Sequence, residues 1–301
     1  MTLIIAWQNA DGGVCLASDS LVKLGEDKRG TILPSFQCLK LGVVHAKVYG
    51  ANDSKTGDVI QYADTKVGIA MAGNFLASYG VLAALRPALE KVQVAHPITD
   101  PSLGTIVEVI GAVMETVCCE VGRAISDVRT GRAGMFVAGW CPVENESQAY
   151  ELRFDPIATS NGSWVTIRRI ELKDGPAFLG SGADAARKKI SDYPEIKPLT
   201  VLHQVIDDPN VSGVGGYVQY GIVEDRTGFA HYAVEDYTVD HDMKEILICC
   251  TYGGVAFAGP GSIKMPDGVV IAHTAVLPFR KEINSYIADR YNPVPLLTSV
   301  D

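Results

Sequence analysis

A chain of 301 residues with 26 Lys and Arg against 35 Asp and Glu, a net charge of −9, has no basic cluster to neutralise phosphates, which excludes a nucleic-acid or anionic-membrane surface. Its 47% apolar and 20% charged residues suit a globular protein with a sizeable core, read as one α/β domain with insertions. The first apolar run is too short for a signal sequence and lacks a preceding basic residue, and no later run reaches the roughly 18 apolar residues of a membrane span, so a cytoplasmic location is expected.

Residues 2 to 8 and 14 to 18 read as two strands joined by the turn Asp11-Gly12-Gly13, and the hairpin delivers Asp19 at the end of its second arm. A charged, glycine-containing loop over residues 21 to 34 leads to an extended stretch, residues 35 to 49, in which Lys40 stands in the apolar run Cys38-Leu39-Lys40-Leu41-Gly42-Val43-Val44. By strand alternation such a lysine points to solvent; the alternative is a charge held inside to keep a neighbouring amine or hydroxyl poorly protonated. A polar stretch over 50 to 65 is followed by a strand ending in Ala72-Gly73 and by a helix over about 74 to 92, which Pro87 should kink or divide. A second helix is expected over about 103 to 128, and two successive helices pack together on one face of a sheet.

From Ala133 the apolar period becomes two, giving an antiparallel meander over residues 135 to 172. A strand then stops at Gly180-Ser181-Gly182 and opens a helix over 183 to 191, with a second helix over about 199 to 206. A loop over 207 to 216 holds Asp208 and Ser212 and precedes strands over 217 to 224 and 229 to 233. Further strands near 245 to 250, 255 to 257 and 268 to 273 and a helix near 281 to 290 read as an appendix. Gly180-Ser181-Gly182-Ala183-Asp184-Ala185 also fits a dinucleotide fingerprint, but Pro194 and Pro198 interrupt the next segment and no acid-bearing strand comes about 20 residues on. Seven cysteines without Cys-x-x-Cys and six scattered histidines leave no disulfide framework or metal motif, so neither metal nor cofactor is expected.

Thr2 directly follows Met1, and a small second residue allows methionine to be trimmed, which would leave Thr2 as the N-terminus. Such a residue carries a hydroxyl nucleophile together with its own base, because an α-amine of pKa about 7.7 to 8.0 is partly neutral at physiological pH. The ordered set of Thr2, Asp-Gly-Gly-Val-x-Leu-Ala-Ser-Asp-Ser ending at Asp19 and Ser20, Lys40-Leu41, Ile69-Ala70-Met71-Ala72-Gly73 and Gly180-Ser181-Gly182-Ala183 resembles the proteasome β-subunit family of N-terminal nucleophile hydrolases, including its bacterial relatives, over about residues 2 to 235. The resemblance implies an α+β, four-layer αββα sandwich over 2–235, with 236–301 as a C-terminal extension packed on or assembling the domain. It implies that Thr2 is the nucleophile, that Lys40 lowers the local pKa by its charge, that Asp19 pairs with Lys40, and that Gly73 N–H is the oxyanion donor. Ser181, Asp208 and Ser212 are implied to support the terminal amine through hydrogen bonds.

The Lys40 to Gly73 interval is longer than the family pattern, through either an extended strand pair or a shifted match at Gly73, and Asp208 to Ser212 is one residue longer than Asp-x-x-Ser-Gly. The function implied is cleavage of amide bonds, chiefly in peptides, within a homo-oligomeric ring. A catalytically silent ring-forming or binding subunit and a small-molecule amidase are the alternatives on the same fold.

Overall fold

The computed structural model describes residues 2–23, 35–50, 61–93, 102–125, 132–157, 163–211, 213–239, 246–252, 255–258 and 275–276. The chain begins with the hairpin of β1 (Ile4–Gln8) and β2 (Val14–Ser18), paired with Ile4 opposite Ser18. Its turn is closed by Asn9 Oδ1, which accepts from the N–H groups of Asp11 and Gly13. Leu3, Ile4, Ile5 and Ala6 are all fully buried, so β1 is covered on both faces. Residues of that kind on successive positions mark a central strand rather than an amphipathic edge.

β3 (Leu21–Lys23) and β4 (Ser35–Gln37) form a two-stranded ribbon. β5 (Leu41–Tyr49) then pairs along its whole length with β6 (Gln61–Gly73), from Leu41 opposite Ala70 to Tyr49 opposite Gln61, with one register shift at Val48 and Tyr49. The long Lys40 to Gly73 interval is therefore an extended strand pair.

Asn74 accepts from the N–H groups of Leu76 and Ala77 and so starts α1 (Phe75–Leu89). Pro87 lies inside the last turn, where few intrahelical bonds remain to be lost, and the single helix ends two residues later rather than dividing. Val92 belongs to β7 (Val92–Gln93), which runs parallel to the end of β5, not to the helix. Ser102 caps α2 (Leu103–Ala124) at Thr105 N–H. The meander is β8 (Ala133–Cys141), β9 (Glu146–Phe154) and β10 (Val165–Arg169). After β11 (Ala177–Leu179) come α3 (Ala183–Asp192) and α4 (Pro198–Ile206), the latter with proline in its first turn.

The closing strands are β12 (Gln219–Glu224), β13 (Gly228–Val239), β14 (Ile246–Tyr252), β15 (Val255–Ala258) and β16 (Ala275–Val276). β13 runs through residues 235 and 236 without a break, and β14 and β15 continue the same sheet. The strand expected over 268–273 and the helix over 281–290 lie outside the described residues.

Two large sheets result. One has the order β11-β1-β2-β12-β13-β14-β15, with β16 alongside β13; the other has the order β10-β9-β8-β6-β5-β7. Three apolar clusters hold the mixed α/β structure together. Val81 and Leu85 of α1 and Ile106, Ile110 and Met114 of α2 pack on Val44, Ile69 and Val137 of the six-stranded sheet. Ile4, Leu16 and Phe229 of one sheet meet Leu41, Ala70 and Phe136 of the other. Leu3, Ile5 and Ala17 pack against Ala186 of α3 and Val201 and Val205 of α4. Among the described residues no helix is long and apolar enough to cross a membrane.

Candidate active site

Thr2 sits at the head of β1, between β2 and β11, and is 5% exposed. Its backbone nitrogen donates to Ser181 Oγ at 3.1 Å and its carbonyl accepts from Gly182 N–H at 3.2 Å. The turn between β11 and α3 thus holds the start of the chain from one side. Gly180 makes this approach possible: it has φ +100°, and a Cβ there would lie 2.1 Å from the Thr2 carbonyl oxygen.

Asp19, fully buried one residue beyond β2, binds the other side. Its Oδ1 accepts from Leu3 N–H at 2.9 Å, while Oδ2 accepts from Lys40 Nζ at 2.9 Å and from Gly215 N–H at 3.2 Å. Lys40 is 6% exposed and faces inward, against the solvent-facing orientation that strand alternation alone favours. Burial pushes the Asp19 carboxyl up, opposed by the Lys40 charge and the N–H donors of Leu3 and Gly215. Burial holds the Lys40 ammonium below the ordinary lysine range, opposed by Asp19. With three donors on its two oxygens, Asp19 is built to remain ionised, and the pair places a positive charge where little water screens it.

Thr2, Lys40 and Gly73 line one cleft of about 500 Å³. Gly73 ends β6 with φ +122°, and a Cβ there would lie 2.5 Å from Arg132 O, so the position admits only glycine without backbone movement. It stands directly before the N-terminus of α1, whose helix dipole favours a developing negative charge. The cleft walls are mainly apolar: Val22, Leu39, Met71, Leu76 and Tyr79 line it together with Phe75. Phe75 packs edge-on against Phe36 and stacks on Tyr79, which is 64% exposed.

Of the residues singled out in the sequence, Thr2, Asp19, Lys40, Gly73 and Ser181 come together. Asp208 does not join them: its carboxylate accepts from Asn210 N–H at 3.0 Å and pairs with Lys189 of α3 at 3.5 Å. Those partners, the Asn210 N–H first, hold its pKa below the ordinary range. Ser212 lies outside the described residues. Two groups at the site were not foreseen. Gly215 N–H belongs to a Gly-rich loop whose Gly215-Gly216 doublet was a usable signal, since Gly216 has φ +77°. Gln219, fully buried, bonds the backbone around Lys40, and nothing in its local sequence marks it.

Together these features define a mixed α/β protein of proteasome-like fold with a buried lysine–aspartate pair beside the head of its first strand. No family model matches the chain, and no curated protein matches it. Among solved structures it is similar to Anbu from Pseudomonas aeruginosa, solved as the helical assembly of the Anbu complex, with 14% identity, a TM-score of 0.53, and coverage of 77% of this chain and 86% of that one. It is similar also to an Anbu Gly-1 mutant from Hyphomicrobium sp. strain MC1, with 13% identity, a TM-score of 0.50, and coverage of 77% and 84%. At such identities the likeness shows the fold alone. This corrects the assignment to the proteasome β-subunit family drawn from the motifs: the similar solved structures are Anbu, at 13 and 14% identity, so the motif order carries a proteasome-like fold and not membership.

Proposed function

We propose that the chain is a subunit of a proteasome-like assembly and an N-terminal threonine hydrolase of amide bonds, with Thr2 exposed as nucleophile once Met1 is removed. The observation that carries this reading is the buried Lys40–Asp19 pair in the cleft that Thr2 lines. A sheet-forming strand has no folding need for a lysine desolvated to this degree, and removing two charges from water is unfavourable unless they serve a purpose beyond packing.

In this mechanism Thr2 Oγ attacks the substrate carbonyl and its proton passes to the terminal amine, directly or through water. Lys40 acts by charge, favouring the neutral amine and the deprotonated hydroxyl. Gly73 N–H stabilises the oxyanion. The amide nitrogen leaves with the proton from the amine, and water then hydrolyses the ester on Thr2 and restores both groups. Ser181 fixes the amine, which its Oγ already meets at 3.1 Å. The apolar cleft walls favour a substrate with a large apolar side chain next to the scissile bond.

The alternation of α1 and α2, two facing sheets, and α3 and α4 supports a four-layer αββα sandwich over residues 2–235, with 236–301 as a C-terminal extension whose described strands β14, β15 and β16 add to one sheet. A homo-oligomeric ring and a cytoplasmic location belong to the same proposal. Sedimentation at micromolar concentration should give several subunits per particle, and a monomer alone would remove the ring.

The deciding experiment incubates cell-made protein with a peptide epoxyketone, which needs both the hydroxyl and the free amine of one residue. The expected result is an adduct on a peptide that begins at Thr2, absent from Thr2→Ala. Loss of Met1 without an adduct would favour the silent subunit; retained Met1 would end the enzyme reading.

A further inference from the structure

The segment that carries Lys40 is held by a side chain from the opposite sheet. Gln219, the first residue of β12 and opposite Ser18 of β2, is fully buried. Its Oε1 accepts from Lys40 N–H at 2.9 Å and Leu41 N–H at 2.8 Å, and its Nε2 donates to Cys38 O at 2.6 Å. The partners fix the amide's orientation, since two N–H groups require an oxygen and a carbonyl requires an N–H. On its other side the segment is fixed by Met71 N–H, which donates to Lys40 O at 2.9 Å. The Lys40 backbone, just ahead of β5, therefore cannot shift or tilt away from Asp19 without breaking these bonds, of which those at Lys40 and Leu41 N–H are buried.

No other side-chain type of that length offers both functions. Glutamate accepts twice but cannot donate when ionised, methionine does neither, and asparagine is one methylene short. A residue needed only for packing between two sheets would be apolar, as Phe229 and Phe136 are.

We propose that Gln219 is a positioning residue for the hydrolysis, acting through the Cys38–Leu41 backbone to hold the Lys40 ammonium on Asp19 and beside Thr2. This rests on the threonine-hydrolase reading for its consequence but not for its geometry. The groups whose charge acts on Lys40 include the Asp19 carboxylate from the end of β2 and the Cys38 thiol on its own segment, and Thr2 lines the same cleft.

The test measures two quantities in the full-length wild type and in Gln219→Met: the apparent pKa of Lys40, from its rate of acetylation by acetic anhydride against pH, and the rate of epoxyketone labelling at Thr2 against pH. In the variant Lys40 gains water, so its pKa should move up toward the ordinary lysine value. Labelling should fall roughly 10- to 100-fold, as expected for an ångström-scale misplacement, and its acid limb should move to higher pH because the amine has lost a nearby positive charge. An unchanged Lys40 pKa in a folded variant overturns the inference whatever the labelling does. A shifted Lys40 pKa in a protein whose wild type never labels upholds the positioning and ends the threonine-hydrolase reading instead. Gln219→Asn serves the same comparison should Gln219→Met fail to fold, because it keeps the polarity and loses only the reach.

Discussion

Lys40 concentrates the energetics of the site at one residue. Its ammonium is taken out of water beside the Asp19 carboxylate, and Asp19 keeps two backbone donors, from Leu3 and Gly215, if the lysine is removed. Truncating one partner of such a buried pair destabilises by roughly 3 to 5 kcal/mol, so Lys40→Ala should be less stable as well as less reactive. Its labelling rate should fall roughly 10²- to 10⁴-fold, the usual loss when a positioned charge or base is removed. Lys40→Arg should retain more than Lys40→Ala, yet still lose heavily, because the planar guanidinium is wider than an ammonium. The pH dependence separates charge from shape. Burial lowers the Lys40 pKa, so in the wild type the charge is present below that lowered value and lost as pH rises through it, giving an alkaline decline earlier than an exposed lysine gives. Arginine does not titrate there, and in Lys40→Arg the alkaline limb should vanish from the rate profile. A limb that stays in place would assign it to some other group.

At the scale of elements, β6 and β12 lie in different sheets and touch the same ring. A Cβ on Gly68 of β6 or on Gly221 of β12 would come 2.3 Å from the ring of Phe229, which is fully buried. Gly68→Ala must push the sheets apart or move the ring and should destabilise by roughly 1 to 3 kcal/mol, the range for overpacked cores. Pairing it with Phe229→Leu should recover part of that loss. Urea unfolding of the two single variants and the double variant checks it, and strict additivity would show that the ring and the methyl do not compete.

Legibility in the sequence depended on how far each signal reaches along the chain. The Asp11-Gly12-Gly13 turn, the helix start behind Gly73 and the Gly180 stop before α3 are local, and each was visible in a few residues. Lys40 was visible only as an anomaly in an apolar run, and its inward orientation depends on Asp19, 21 residues away. Gln219 gave no sign, because its partners lie 178 to 181 residues off and an isolated glutamine in a strand resembles any outward-facing polar residue. Asp208 misled in the opposite way: a loop aspartate two residues before Asn210 satisfies itself locally in a turn.

At the scale of the whole molecule, two buried histidines among the described residues contribute to the response to acid. His203 on α4 and His231 on β13 are both pushed down by burial to about 4, with Asp207 opposing the effect at His203. The folded protein thus binds fewer protons than the unfolded chain between the ordinary value of 6.5 and about 4, and stability falls as pH drops through that window. Full protonation of each removes about 3 kcal/mol, taking 1.36 kcal/mol per pKa unit. Urea unfolding at pH 7 and pH 4.5 should show the loss, and His203→Gln with His231→Gln should flatten it. Equal acid sensitivity in that double variant would place the effect on other groups.

The bonds that fasten the head of β1 also set a clock. Ser181 meets Thr2 across 179 residues, Gly215 meets Asp19 across 196, and Gln219 meets Lys40 across 179. At a synthesis rate of roughly 5 to 20 residues per second, about ten to forty seconds separate the emergence of Thr2 from that of Gln219. Throughout that interval Thr2 is present without its surroundings, so a nascent chain carries the threonine before Ser181, Gly215 and Gln219 are in place around it. Contacts of such long separation also close late in folding, which ties competence to completion of the two sheets.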